Sequence, residues 1–332
     1  MAKGGGESVN KRGIVAVAFA VSLIGKGNLQ TYAMEAPGDG EPGWYYGQEK
    51  HRWYYVDGSQ NLHTGWLDYN GEWYWFNQEG WMADGGTTTI DGIPYYFFIN
   101  GNLAWNQYVG MKFYNKDGRH EQEHDVRVVG KQNPDNEDKD MFSDYMYQIP
   151  RSWITRFIED GWQIMFYKQK KYFEAPRTDQ GIYYVYHSVD TYYKKMKFTD
   201  VDSVLQAFGE YVGYAAGCYE KGNAWMDALW EEQPALSPVL NLPDRYVDDG
   251  KFYFGKLFAA YVDDSGKEEV LRVSPRAGEV MEEILHLHDD EETKKRLERK
   301  AQERQEAARQ AAERAGEGGG PGIRREEKES DV

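Results

Sequence analysis

Gly65-Trp66-Leu67-Asp68-Tyr69-Asn70-Gly71-Glu72-Trp73-Tyr74-Trp75-Phe76-Asn77-Gln78-Glu79-Gly80-Trp81-Met82 is the stretch that decides how the first part of this chain is read. Its aromatic run, Glu72 to Asn77, is followed closely by the turn dipeptide Glu79-Gly80. The same texture precedes it as Arg52-Trp53-Tyr54-Tyr55-Val56-Asp57 with Asp57-Gly58. It follows, more loosely, as Ile93-Pro94-Tyr95-Tyr96-Phe97-Phe98 with Asn100-Gly101, and faintly as Met111-Lys112-Phe113-Tyr114-Asn115 with Asp117-Gly118. A period of about 20 residues marks a repeat architecture, and aromatic runs bounded by Gly turns predict short hairpins. One such hairpin cannot bury its apolar face alone, whereas stacked ones can. The pattern therefore predicts a β-hairpin solenoid over residues 44–125.

The rest of the composition narrows the function. The chain has 332 residues, room for about two domains. Lys plus Arg number 39 against 55 Asp plus Glu, a net charge of −16. So acidic a surface argues against nucleic acid as a partner, because phosphate needs a basic face. A single cysteine, Cys218, excludes an intrachain disulfide framework and a cysteine-based zinc cluster. With no histidine near it in sequence, Cys218 reads as a structural residue rather than a nucleophile. Lys11 and Arg12 precede an apolar run, Ile14 to Ile24, that is shorter than the about 20 residues a bilayer needs. This reads as a secretory signal peptide over residues 1–36, an uncleaved anchor being the alternative. Export with one cysteine suits the cell surface of a Gram-positive bacterium.

The 65–82 stretch resembles one full choline-binding, or cell-wall-binding, repeat. The likeness rests on the opening Gly65-Trp66, the strand Trp73-Tyr74-Trp75-Phe76 and the closing Gly80-Trp81-Met82. The resemblance implies binding of cell-wall choline, as on teichoic acid, or of a glucan group, in aromatic cages between successive hairpins. The chemistry is consistent with that use. A quaternary ammonium has no hydrogen-bond donor and is held by aromatic faces at about 0.5–2 kcal/mol per good contact. Trp66, Trp73, Trp75 and Tyr96, with Met82 as a wall, are the expected ligand-binding positions; packing of the hairpin core is the competing use for each ring. The stretch Gly86-Thr87-Thr88-Thr89 and Pro94 depart from the pattern and are expected to spoil the cage between the second and third units.

Residues 126–147 turn polar and read as a linker. From 148 to 287 the pattern predicts an α+β domain. Helices are expected at Arg151–Glu159, from Val201 behind an Asp200 or Thr199 cap, at Asn223–Trp230, at Phe252–Val262, and at Arg276–Leu287 behind Ser274. Strands are expected at 162–167 and 182–186. Residues 149–285 resemble the anthrax lethal factor-like zincin family, which includes the Pro-Pro endopeptidases, through Leu205-Gln206-Ala207-Phe208-Gly209-Glu210-Tyr211-Val212, Tyr253-Phe254-Gly255-Lys256-Leu257-Phe258-Ala259-Ala260-Tyr261 and Val273-Ser274-Pro275-Arg276-Ala277-Gly278. The resemblance implies a peptide groove and a zinc site. It places Gln206 and Glu210 at the two histidine positions, Ala207 at the base, Phe252 at the third ligand, Lys256 at a neighbouring acidic position, and Tyr246 near a carbonyl-polarising tyrosine. Zinc needs imidazole, thiolate or carboxylate donors and a base beside its water. Ala207 moves no proton, and Phe252 has no donor atom. His187, on a strand, and His286 and His288, in the last helix, are not expected to replace them. The expectation is a pseudoprotease with no catalytic residue, no metal and no cofactor, whose groove holds a peptide. An active secreted zinc metalloendopeptidase is the alternative, and a mere spacer a third reading. Residues 288–332 read as a charged, exposed helix running into a disordered end.

Overall fold

Aromatic and β-branched residues fill the short strands, and in this computed structural model they form four antiparallel hairpins among the described residues, 42–48 and 50–289. The expected leader, and the tail beyond residue 289, lie outside the described residues. The hairpins pair β1 (Gly43–Gly47) with β2 (Arg52–Val56), β3 (Gly65–Tyr69) with β4 (Glu72–Phe76), β5 (Gly86–Ile90) with β6 (Ile93–Phe97), and β7 (Gln107–Val109) with β8 (Lys112–Tyr114). After each second strand the chain returns as a single bridge: Val56 to Leu62, Phe76 to Met82, Phe97 to Leu103 and Tyr114 to His120.

The return turns share one device. The side chains of Asp57, Asn77 and Asn115 each accept two backbone N–H groups, two and four residues on. Phe98 holds that place in the third unit. Gly80, Gly101 and Gly118 occupy the left-handed conformation in these turns, and Gln60 does so at φ 65° in the first. Successive units are stitched by backbone bonds: Met82 N–H donates to the Trp53 carbonyl at 2.8 Å, and Leu103 N–H to that of Trp73 at 2.7 Å.

The expected linker is not one. β9 (Arg127–Val128) joins a sheet, and α1 (Asn136–Gln148) buries Phe142 and Met146. The polar run that reads as linker is the start of this helix. Asp135 accepts the Asp138 N–H at 2.9 Å, and the Asp138 carboxylate accepts the Asp135 N–H at 3.1 Å, a reciprocal cap. Tyr108, Met111 and Phe113 of the fourth hairpin pack in the same core as Phe142 and Met146. The last repeat is therefore built into the helical part.

α2 (Arg151–Glu159) leads to β10 (Gln163–Phe166). A small hairpin of β11 (Arg177–Thr178) and β12 (Gly181–Ile182) precedes β13 (His187–Asp190) and β14 (Lys195–Phe198). The sheet order is β13-β14-β10-β9, with β10 parallel to both neighbours and β13 antiparallel to β14. The expected strand 182–186 thus starts five residues later, at His187. Then come α3 (Val204–Ala215), α4 (Ala224–Leu240), α5 (Gly250–Val262), α6 (Asp264–Val273) and α7 (Pro275–Leu285). α4 runs ten residues past the expected end at Trp230, through Pro234 and Pro238. α7 stops at Leu285 with His286 as its cap, so neither His286 nor His288 is helical.

α3 and α5 approach closely because glycines line their contact. A Cβ added at Gly209 would lie 2.6 Å from Phe258 Cβ, and one at Gly255 2.8 Å from both the Gln206 carbonyl and Glu210 Cγ. This approach sets Gln206 and Glu210 against the second helix.

Candidate functional site

Two places gather the residues singled out by sequence: an aromatic corner on the second hairpin and a cavity beside α3 and α5.

Strand register builds the corner. Trp66 lies opposite Trp75 in β3–β4, as Trp44 lies opposite Tyr55 in β1–β2. The Trp66 ring meets Trp73 at 6.5 Å and 80°, and meets Tyr95 of the next hairpin at 5.0 Å and 75°. Two walls thus stand nearly perpendicular to Trp66, and Trp73 is 41% exposed. Asp68 is the register partner of Trp73 and so stands on the same face of that hairpin. An open aromatic corner beside a carboxylate suits a cation.

The same positions in the other units show why this corner stands out. In the first unit they are Trp44, Trp53 and Tyr74; both tryptophans are 3% exposed, packed with Tyr55 and Tyr69 around them. In the third they are Thr87, Pro94 and Lys112, which offer no aromatic ring. The Thr-rich stretch is strand β5, and with Pro94 it removes the walls from the third corner, leaving Trp66, Trp73 and Tyr95 in place at the second.

The five expected ligand positions therefore do not converge. Trp66 and Trp73 meet; Trp75 packs in the same cluster as Trp66, Tyr95 and Trp105. Met82 is buried in the preceding cluster, its thioether against Gly101. Tyr96 faces Phe98 and Tyr114, one unit on. Neighbouring residues of a strand point to opposite faces, so Tyr95 and Tyr96 cannot both reach Trp66. Aligning Ile93–Phe97 on Glu72–Phe76 in register is the sequence signal that would have selected Tyr95.

A further aromatic face carries a cation from the chain itself. The Arg151 guanidinium lies 4.5 Å over the Trp105 ring and donates to both Glu72 carboxylate oxygens at 2.9 Å. Glu72 precedes Trp73 on β4, so helix α2 is tied to the second hairpin.

The cavity has a volume of about 420 Å³ and is lined by Gln206, Phe252, Lys256, His187, Tyr183 and Asp200, among others. His187 Nε2 lies 2.7 Å from Glu210 Oε1, a contact between strand β13 and α3 that sequence reading missed. Phe252 stacks on Tyr246 at 4.1 Å and 12°, and the Tyr246 hydroxyl is 3.5 Å from Glu174 Oε2. Ala207 is fully buried. These residues do not fit zinc. His187 and Glu210 bring two donors, already bonded to each other, and the third position is a phenyl ring stacked on a phenol. Among the described residues, the carboxylates and imidazole within reach of one ion are Glu121, Glu123 and His124, on the turn after the fourth hairpin. Cys218 is buried, which pushes its thiol up to about 12, so it carries no thiolate at neutral pH.

No family model and no curated protein matches the chain. Solved structures do. The choline binding domain of Spr1274 from Streptococcus pneumoniae is 28% identical, with a TM-score of 0.23, over 25% of this chain and 96% of that one. CbpJ from Streptococcus pneumoniae TIGR4 is 31% identical, with a TM-score of 0.23, over 24% of this chain and 27% of that one. The endolysin of phage Cp-1, in complex with choline, is 15% identical, with a TM-score of 0.22, over 29% of each chain. This chain thus spans less than a third of the length of the last two.

Proposed function

We propose that this chain is a secreted, cell-wall-associated binding protein whose aromatic repeats take choline, or a related quaternary ammonium group of the wall. The observation that carries the reading is the corner of Trp66, Trp73 and Tyr95: three rings, two near-perpendicular contacts and an exposed indole face. Such a corner offers π faces from several directions and no hydrogen-bond requirement, which is what a trimethylammonium needs. A glucan is the weaker ligand for it, because sugar hydroxyls need polar partners beside the stacking face. Calorimetric titration of the full chain with choline and with its neutral isostere 3,3-dimethyl-1-butanol tests this. Choline is expected to bind at least tenfold tighter than the alcohol and to be lost in Trp73→Ala. Equal binding of the two would show that the corner reads shape and not charge.

For the helical half, we read a lethal-factor-like scaffold that has lost its metal chemistry and works by binding. What supports this is that Gln206 and Phe252, at the family's ligand positions, line one cavity together with Lys256, while Glu210 is bonded to His187. Dialysis against zinc followed by metal analysis is expected to find less than stoichiometric metal, and a proline-rich peptide to remain uncut. Chelator-sensitive cleavage by the pure protein would restore the metalloendopeptidase alternative.

A further inference from the structure

The cavity beside α3 and α5 contains a cation without an acceptor. Lys256 lines it, and its ammonium makes no ion pair or hydrogen bond with any described residue. Gln206 lines it too, but its Nε2, which has no partner, is buried away from the open space. The neighbouring polar groups are already engaged. His187 is held by Glu210 at 2.7 Å, Asp202 accepts from the Tyr145 hydroxyl at 2.7 Å, and Asp200 accepts from the Asp202 N–H at 3.1 Å. The rest of the wall is largely apolar or aromatic: Ile182, Tyr183, Tyr184, Val185 and Phe252.

An ammonium set in a largely apolar wall with no direct ion pair is unfavourable. One ligand class relieves it. We propose that this cavity binds an organic monocarboxylate with an apolar body. The carboxylate accepts from Lys256 Nζ, while the apolar body lies against Tyr183 and Phe252. Burial also holds the Lys256 amine below the ordinary lysine range, and an anion beside it opposes that shift. Asp200 and Asp202 line the same cavity and repel any anion, so a single carboxylate at Lys256 is the most the site takes, and phosphate and dicarboxylates are disfavoured further. The volume of about 420 Å³ matches a small-molecule site. The site is separate from the aromatic corner and does not depend on choline binding.

Saturation-transfer NMR and calorimetry on the full chain test it with 3-phenylpropionate, its neutral amide 3-phenylpropionamide, and inorganic phosphate. The acid is expected to bind at least tenfold more tightly than the amide, with no signal from phosphate and no competition from choline. Lys256→Met is expected to lose tenfold or more in affinity while keeping the wild-type melting temperature, and Lys256→Arg to retain most of it. An N-acetylated tripeptide with a free C-terminus identifies the source: competition with the acid means a peptide end, no competition a free small acid, and either supports the site. Equal affinity for acid and amide, binding of phosphate in place of the acid, or unchanged binding in Lys256→Met overturns the proposal. If Lys256→Met does not fold, the acid-to-amide ratio in the wild-type chain decides alone.

Discussion

Tyr95 and Tyr96 are adjacent, and one residue of strand register separates a corner wall from a packing ring. Tyr95 meets Trp66 at 5.0 Å, whereas Tyr96 sits with Phe98 and Tyr114. A single good cation–π contact is worth about 0.5–2 kcal/mol, or roughly 2- to 30-fold in affinity. Tyr95→Ala should therefore weaken choline binding by that factor in calorimetry, while Tyr96→Ala should leave it within about twofold. A second residue-scale prediction concerns pH. Glu282 on α7 accepts from His286 Nε2 at 3.1 Å, and also from Lys267 of α6 and the Tyr261 hydroxyl of α5. His286 first, then the other two, hold its carboxyl down to about 2 against an ordinary 4.5. A depressed carboxyl stabilises the fold above its unfolded value and loses that contribution as pH falls. The melting temperature should drop between about pH 4.5 and 2, and Glu282→Gln should flatten that slope.

At the scale of elements, the α3–α5 contact depends on missing side chains. Gly209→Ala would set a methyl 2.6 Å from Phe258 Cβ, so the helices must part. Overpacking of this kind costs about 1–3 kcal/mol. A lower urea midpoint at unchanged slope is the expected result; an unchanged midpoint would show that the contact has slack. Elements with strong periodicity or clear caps were legible in the sequence: α2, α3, α5 and α7 fall close to where apolar spacing and Ser274 put them, although Asp200 caps a 3-10 turn, Val201–Ser203, and α3 itself starts only at Val204. Others were not. α1 opens with a charged capping box that resembles linker composition, and α6 buries Val270 alone, which leaves little pattern to read. α4 continues through two prolines although each removes one N–H, because the buried Leu236 and Leu240 hold the helix in place.

At the scale of the whole molecule, repeats and helices share structure. The fourth hairpin contributes to the main core, and Arg151 bridges Glu72 and the Trp105 face. A charge-assisted bond of this kind is worth roughly 1–3 kcal/mol. Arg151→Met should make the aromatic near-ultraviolet signal of the repeats melt ahead of the helical far-ultraviolet signal, where the wild type melts as one transition. Choline at about a hundred times its dissociation constant should stabilise the native state by about 2.7 kcal/mol. It should raise the melting temperature of the wild type but not of Trp73→Ala. The net charge of −16 aids capture of cations, so affinity should fall with salt.

The repeat period, the hairpins and the aromatic character of the first part follow from local sequence, because turn residues and alternating rings act within about 20 residues. The unsuitability of positions 206, 207 and 252 for zinc follows from residue chemistry alone. Which rings form an open corner depended on strand register and on what the neighbouring hairpin presents. The pairing of His187 with Glu210, the stranded Lys256 amine and the Arg151 bridge join residues 23 to 79 positions apart or set them in one cavity. Such contacts are created by packing and leave no periodic trace along the chain.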